Sequence, residues 1–569
     1  MRTVPPIDVA VPAEDPAWIT RPRDPLRGAP AGPLAGLAFA AKDNIDVAGL
    51  PTTAACPSFA YMATRHATVV QKLLDAGASV LGKTNLDQFA CGLNGSRSPY
   101  GIPRNTFDPR FVSGGSSSGS AVVVARGEAD FALGTDTAGS GRVPAGLNNI
   151  VGLKPSRGLL SARGVVPAAQ SIDCVSIFAR TVPLAARVLA QAAGHDPLDP
   201  YSRALPLARR PLPSRFRFGV PEPLVFFGDQ LAARAFAEAI ARLRELGGEP
   251  VPVDYAPLQK AADLLYGSAL VAERYAAVRP FFDGHEAQVI EPVRGILATA
   301  SSYSAGEYVD ALVRLRTLGQ AADRMWDRID VLLVPTAPTH YTVEQMLAEP
   351  VTLNRNLGAY TNFVNLLDYA ALSVPASLRP DGLPFGVTFV GRCGSDLQLA
   401  EVGQRFHQAT GLALGATGQP LPAPEPIAGV EDEPRVQVAV VGAHLSGMPL
   451  NGQLTEREGR LLRSASTSAD YRLYALPGTT PPKPGLVRVA PGTGAPIALE
   501  VWDLPLAHYG SFVAAIPAPL GIGTLTLDDG STVQGFLCEA LAVQGAQDIT
   551  PHGGWRAWIA AHSRSRVPA

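Results

Sequence analysis

Lysine is scarce in this chain: Lys42, Lys72, Lys83, Lys154, Lys260 and Lys483 stand against 42 arginines. Surface positive charge is thus supplied by arginine. A lysine in an apolar stretch is singled out, because a buried ammonium sheds its proton and a guanidinium does not. Cysteine is scarce too. Cys56, Cys91, Cys174, Cys393 and Cys538 are scattered, odd in number and form no CxxC, which argues against a disulfide framework or a cysteine zinc site. No apolar run reaches the ~18 residues of a membrane helix. Proline and acidic residues occupy the N-terminal stretch where a signal peptide carries its apolar core. The formal net charge of -2 leaves no basic field for nucleic acid. A soluble cytoplasmic protein is the expectation.

What is present points to a globular chain of more than one domain. Apolar residues make up 46% and charged residues 17%, and 569 residues exceed one ordinary core. Residues 1–30 are Pro-rich and are expected to lie extended on the surface. From "GLAFAAKDNID" onward, short apolar runs alternate with amphipathic helices. The pattern predicts strands over 36–42, 79–85, 129–136, 216–222 and 329–338. It predicts helices over 67–78, 120–127, 228–248, 257–282 and 304–329, in an α/β layered sheet with helices on both faces. A Pro-rich, acidic stretch without periodicity follows at 415–434, and short strands with Gly/Pro turns come after it. The expected division is a first domain over 1–418, a linker over 419–434 and a smaller β-rich α+β domain over 435–569.

Two clusters of glycine and serine, "GGSSSGS" (114–120) and "GTDTAGSGR" (134–142), carry the chemistry. A phosphate cradle is one reading, but the GK[ST] ending of a P-loop is missing. A nucleophile elbow centred on Ser117 is another, but no apolar strand leads into it. The third is a serine–serine–lysine arrangement. Ser140 follows a turn after an apolar strand, and the N–H groups of Thr137, Ala138 and Gly139 are placed to aim at one point as an oxyanion hole. Serine needs a base. Lys42 closes an apolar strand, and burial without an anion lowers a lysine pKa. A serine of the first cluster would relay the proton.

"KDNID", "GGSSSGS" and "GTDTAGSGRVPA", in this order, resemble the amidase signature family, with the resemblance spanning roughly 25–415. It implies a mixed β-sheet sandwiched by helices and amide hydrolysis. It further implies Ser140 as nucleophile, Ser116 as bridging serine after a cis Gly115–Ser116 bond, and Lys42 as base, with no metal or organic cofactor. Where many members have "TGGSIR", this chain has "TAGSGR"; Ala138 supplies the same backbone N–H.

"AGLPTTAACPSFAY" (48–61), "TNLDQFACGLNGSRSPYG" (84–101), "LLYGSALVAERY" (264–275) and the β-rich C-terminal part resemble the allophanate hydrolase branch of that family. In that branch the C-terminal domain resembles the γ-glutamylcyclotransferase fold and is associated with decarboxylation of the first product. Several members carry a longer helical segment before the lysine than this chain has before Lys42. The likeness implies allophanate as substrate, with Tyr266 and Arg274 binding its carboxylate. Eight residues apart, the two are expected on adjoining parts of one helix face. It implies a biotin-dependent urea carboxylase as pathway partner and a homodimer as assembly.

In the C-terminal domain, "VVGAHLSGMPLN" (440–451) is a strand and a Gly-rich turn whose N–H groups suit an anion. His444 there is a candidate acid, base or anion ligand, or else structural; His552 is a weaker candidate. Three alternatives stand beside this reading: an amidase of another small carboxylated amide such as malonamate, an A-type amidotransferase component acting on a glutamine side chain, and a scaffold on an inactive amidase fold. The C-terminal domain argues against the second. The intact Lys42, Ser116 and Ser140 argue against the third.

Overall fold

The computed structural model of the chain describes residues 9–10, 15–431 and 434–564. Its contacts divide between Glu431 and Asp432 into two units, each with its own apolar core. The strand and helix alternation of the first unit resolves into one 12-stranded sheet. Strand Ala38–Lys42 runs parallel to Ser79–Thr84 on one side and to Phe131–Asp136 on the other. The next partners, Cys174–Ala179, Val151–Lys154, Ala370–Leu378, Pro384–Gly391 and Val331–Pro335, follow one another antiparallel. The far end is parallel again, through Phe216–Glu222 and Gly248–Asp254. The sheet is therefore mixed.

Strands buried on both faces read as unbroken apolar runs. This is why "FALGTD" at Phe131–Asp136 is buried at every position. Helix Ser118–Ala125 is also buried all round and has no polar face. Its Ala121–Ala125 run packs on Ala40 and Ala132 of the two central parallel strands.

Three expectations are corrected. The helix expected over 257–282 is two helices, Ala256–Gly267 and Ala272–His285. Ser268 breaks it in an extended conformation, accepting from Leu270 N and donating to Leu264 O. This is the competition that serine offers a helix backbone. The first part of the 419–434 stretch is not a free tether. Gln404 and Gln408 donate to the carbonyls of Glu425 and Pro422, and Ile427 is buried; residues 432–433 lie outside the described residues. Of the Pro-rich start, residues 1–8 and 11–14 lie outside the described residues, while Val9–Ala10 is the edge strand of the sheet and Trp18–Pro22 the strand next to it.

The second unit holds a five-stranded sheet, ordered Arg460–Ser466, Ala498–Pro505, Arg435–Val440, Thr532–Cys538 and Leu520–Thr526. A smaller sheet is built on Tyr471–Ala475. Its core, from Val438 to Trp555, closes within the unit. A segment with its own core folds alone. Residues 432–569 expressed separately are expected to give one cooperative thermal unfolding transition by circular dichroism; a non-cooperative melt would refute this.

Candidate active site

Lys42 is the last residue of its strand, and Ala41 pairs in parallel register with Leu133. Two parallel neighbours present their C-terminal ends at one sheet edge, so Lys42 arrives beside Thr135 and the turn that follows it. Lys42 Nζ lies 2.7 Å from Thr135 Oγ1 and 2.7 Å from Ser116 Oγ, all fully buried or nearly so.

The first Gly/Ser cluster sorts its hydroxyls by partner. Ser117 Oγ bonds the main chain of Thr135, and Ser120 Oγ donates to Leu133 O. Ser118 Oγ donates to Asn85 O. Ser116 alone faces the lysine, which removes the elbow reading centred on Ser117. The Gly115–Ser116 peptide is cis. A Cβ on Gly115 would collide with the Asp87 carboxylate, so only glycine fits there.

In the second cluster, Asp136 and Arg142 bracket the turn and form a two-pronged buried ion pair, with Nε and Nη2 each 2.9 Å from a carboxylate oxygen. Arg142 also donates to Thr361 O and Asn365 Oδ1. Ser140 is 2% exposed and its Oγ donates to Gly92 O at 3.3 Å. Gly139 has φ +140, and a Cβ there would meet Thr361. Its N–H donates to Asp136 Oδ1 at 2.9 Å, which corrects the expected set of three oxyanion donors. Among the described residues, the N–H groups of Thr137, Ala138 and Ser140 carry no backbone hydrogen bond; these three are the open donors.

Burial pushes the Lys42 amine down to about 7, against the pull of Asp87, Asp173 and Asp136 and with a further push from Arg274. Burial works to raise Asp136, but the Arg142 guanidinium overrides it and holds the carboxyl below its ordinary range. Asp87 and Asp173 are raised, again by burial. The surroundings of Lys83 differ: equally buried, it lies 3.1 Å from the Asp43 carboxylate.

Tyr266 and Arg274 do meet, although they sit on the two helices flanking the break and not on one face. The guanidinium carbon lies 4.8 Å from the Tyr266 ring centroid, a cation–π distance. Arg274 is 3% exposed, and its Nε and Nη1 are buried without a hydrogen-bond partner among the described residues. Such a group is costly to leave unpaired.

In the second unit, His444 lines a cavity of about 260 Å³ together with Gln453, Lys483, Ile516 and Phe536. His444 Nε2 lies 2.9 Å from Gln453 Oε1, and the ring stacks on Phe536 at 4.9 Å. Burial pushes its pKa down. The turn's N–H groups divide: those of Ala443, His444 and Gly447 carry no backbone hydrogen bond among the described residues, while others are engaged. Ser446 N–H is taken by Glu500, and those of Leu445 and Met448 by carbonyls of the turn itself. Lys483 is the other basic side chain lining this cavity. His552 is exposed and does not line the cavity.

Sequence reading missed Thr135, Asp136, Arg142 and Lys483. Asp136 and Arg142 were within reach: a charged pair bracketing a Gly/Ser turn stands out in a chain with 17% charged residues. Breaking a buried pair leaves an uncompensated charge, so Asp136→Asn is expected to lower stability by about 3–5 kcal/mol in denaturant unfolding. A loss below about 1 kcal/mol, the range of an exposed pair, would contradict the bracing role.

Comparison with known proteins agrees with this architecture. Residues 14–400 match the Amidase family, and residues 436–560 match the Allophanate hydrolase C-terminal domain. The chain is 44% identical over 548 residues to the urea amidolyase of Lachancea kluyveri, covering 93% of this chain and 30% of that protein. It thus spans about a third of the length of that relative. The solved structure of selenomethionine-substituted Kluyveromyces lactis allophanate hydrolase superposes with TM-score 0.78 at 42% identity, covering 96% of this chain and 94% of that one. The native peptide amidase from Stenotrophomonas maltophilia superposes with TM-score 0.58 at 30% identity, covering 67% of this chain and 83% of that one. The chain belongs to the amidase family, with an allophanate hydrolase C-terminal domain following its amidase domain.

Proposed function

We propose that the chain hydrolyses allophanate, urea bearing a carboxylate, to ammonia and N-carboxycarbamate. The observation that carries this reading is Arg274: a buried guanidinium with two unpartnered nitrogens, stacked on Tyr266 and felt electrostatically by Lys42. A planar fork of donors suits a carboxylate.

In this reading the substrate carboxylate docks on Arg274 and Tyr266. The Ser140 hydroxyl turns from Gly92 O toward Ser116. Neutral Lys42 takes the Ser116 proton while donating to Thr135, Ser116 takes the proton of Ser140, and Ser140 Oγ bonds to the terminal carbonyl carbon. The oxyanion is met by the N–H groups of Thr137, Ala138 and Ser140. Lys42 returns the proton through Ser116 to the departing nitrogen, and ammonia leaves. Water, deprotonated by the same relay, attacks the acyl carbon and releases N-carboxycarbamate. We place its decarboxylation to carbamate at the cavity of His444 and Lys483, with Lys483 holding a carboxylate; carbamate then breaks down to ammonia and carbon dioxide. We further infer a urea carboxylase as the source of allophanate, and a homodimer in the cytoplasm. Among the described residues no helix is long and apolar enough to cross a membrane.

The base must be unprotonated to act. Activity is therefore present above the Lys42 pKa and lost as pH falls through it, so kcat/KM is expected to show an acid limb near pH 7. A profile flat well below that value would remove Lys42 as the base. The experiment that tests the substrate is ammonia release from fresh allophanate, malonamate and biuret. Ser140→Ala is expected to lower turnover of allophanate by a factor of about 10³ or more. Arg274→Met is expected to raise KM for allophanate at least about tenfold while sparing biuret. Malonamate turned over in preference to allophanate would make another carboxylated amide the substrate. Arg274→Met without effect on KM would remove the carboxylate reading.

A further inference from the structure

Beside Arg274, Glu273 occupies the first turn of the same helix and reaches two other elements at once. Its carboxylate accepts from Ser171 Oγ at 2.7 and 2.8 Å, from Ser171 N at 3.2 Å and from the Tyr308 hydroxyl at 2.9 Å. Tyr308 belongs to helix Ala305–Asp323, and burial together with the Glu273 charge pushes its hydroxyl up to about 12. Ser171 lies two residues before Asp173, whose carboxylate accepts from Thr137 Oγ1 at 2.5 Å and from the N–H groups of Ala168 and Ala169. Thr137 is in the turn that carries Ser140. A second brace runs alongside: Asn365 Nδ2 donates both to Ile172 O at 3.0 Å and to Asp136 O at 2.7 Å. Segment 168–173 therefore grips the helix of Arg274 on one side and the turn of Ser140 on the other.

We propose that Glu273 is a positioning residue that fixes the span between the Arg274 guanidinium and the oxyanion turn, and so sets the length of acyl carboxylate the site takes. Allophanate has one atom between its carboxylate and the scissile carbonyl carbon, so the proposed reaction requires a span of that length. This rests on the reading of Arg274 as the carboxylate receptor. Three donors, the Ser171 N–H, the Ser171 hydroxyl and the Tyr308 hydroxyl, converge on the two oxygens of Glu273. A glutamine keeps one acceptor oxygen and turns an NH2 group toward the other donors, so the bridge opens while size is conserved. Positioning errors of about 1 Å at a reacting centre cost on the order of a hundredfold in rate, so a looser span is expected to be read in selectivity.

The test uses the full chain and compares wild type, Glu273→Gln, Tyr308→Phe and Arg274→Met on allophanate, on succinamate (one methylene longer than malonamate) and on neutral biuret. Thermal melts establish that each variant is folded. Glu273→Gln is expected to raise KM for allophanate about tenfold with a smaller change in kcat, and to shift selectivity from allophanate toward succinamate. Tyr308→Phe, which removes one of the three donors, is expected to move in the same direction by less. An equal loss on allophanate and biuret would mark Glu273 as merely structural and overturn the inference. So would an unchanged KM in a folded Glu273→Gln protein. If Arg274→Met also leaves KM for allophanate unchanged, the receptor reading itself fails, and this inference with it. If Arg274→Met raises KM and Glu273→Gln does not, only the inference about Glu273 fails.

Discussion

An amine with no carboxylate of its own is the constraint around which the first unit is arranged. Three carboxylates, Asp87, Asp136 and Asp173, lie close enough to pull on Lys42, yet each is engaged elsewhere. Asp87 accepts from the backbone N–H groups of Asn94, Gly95 and Arg97. Asp136 holds Arg142 and the N–H groups of Gly139 and Gly141. Asp173 holds Thr137 and the Ala168–Ala169 backbone. The hydrogen-bond partners of Lys42 are the hydroxyls of Ser116 and Thr135. Hydroxyls pair with either a neutral amine or an ammonium, so desolvation decides the balance. The same carboxylates also shape the loops around Ser140. The folding of the turn and the titration of the base thus share one set of contacts.

Arg274 adds a second control. Its charge pushes Lys42 down, and its own Nε and Nη1 are buried without a hydrogen-bond partner among the described residues. In the proposed reaction, an arriving carboxylate neutralises that charge and lets the Lys42 pKa rise. The amine is then least basic in the empty site and more basic once substrate is docked, when a proton has to be taken. This coupling follows from like charges sharing a low-dielectric site. It makes the receptor part of the electrostatics of the base and not only an anchor.

How much of this was legible in the sequence depended on whether the information was local. Strands such as Phe131–Asp136 and Ala38–Lys42 were read from unbroken apolar runs, and the Gly/Ser clusters from composition alone. Parallel pairing of these two strands made the meeting of Lys42 and Ser116, 74 residues apart, a consequence of the fold. What was not legible was competition for single groups. Nothing in "TDTAGSG" says that Gly139 N–H is spent on Asp136 while Thr137 N–H is not. The break at Ser268 was written in the adjacent Gly267, but the apolar periodicity on both sides masked it. In the C-terminal turn, Glu500 comes from a strand 54 residues away and takes the N–H that the local pattern offers to an anion.

The scarcity of lysine acquires a physical meaning once burial is known. Three of the six, Lys42, Lys83 and Lys154, are fully buried. Lys83 faces Asp43, Pro51 O and Thr52 Oγ1, and Lys154 Nζ donates to Pro155 O at 2.7 Å. These are compact sites that take a single ammonium with its donors spread in three directions. A planar guanidinium would need more room and a wider fork of acceptors. Lys42 differs in kind: its site would reject arginine for chemistry as well as shape, since a guanidinium cannot give up its proton to become a base. In a chain that otherwise uses arginine for positive charge, lysine survives inside where the small head fits a closed polar pocket, and at the pocket of Lys42 burial also brings the amine down to about 7. Lys483 extends the pattern to the second unit. There it lines the cavity of His444 and, after burial, contributes to holding that histidine below its ordinary pKa.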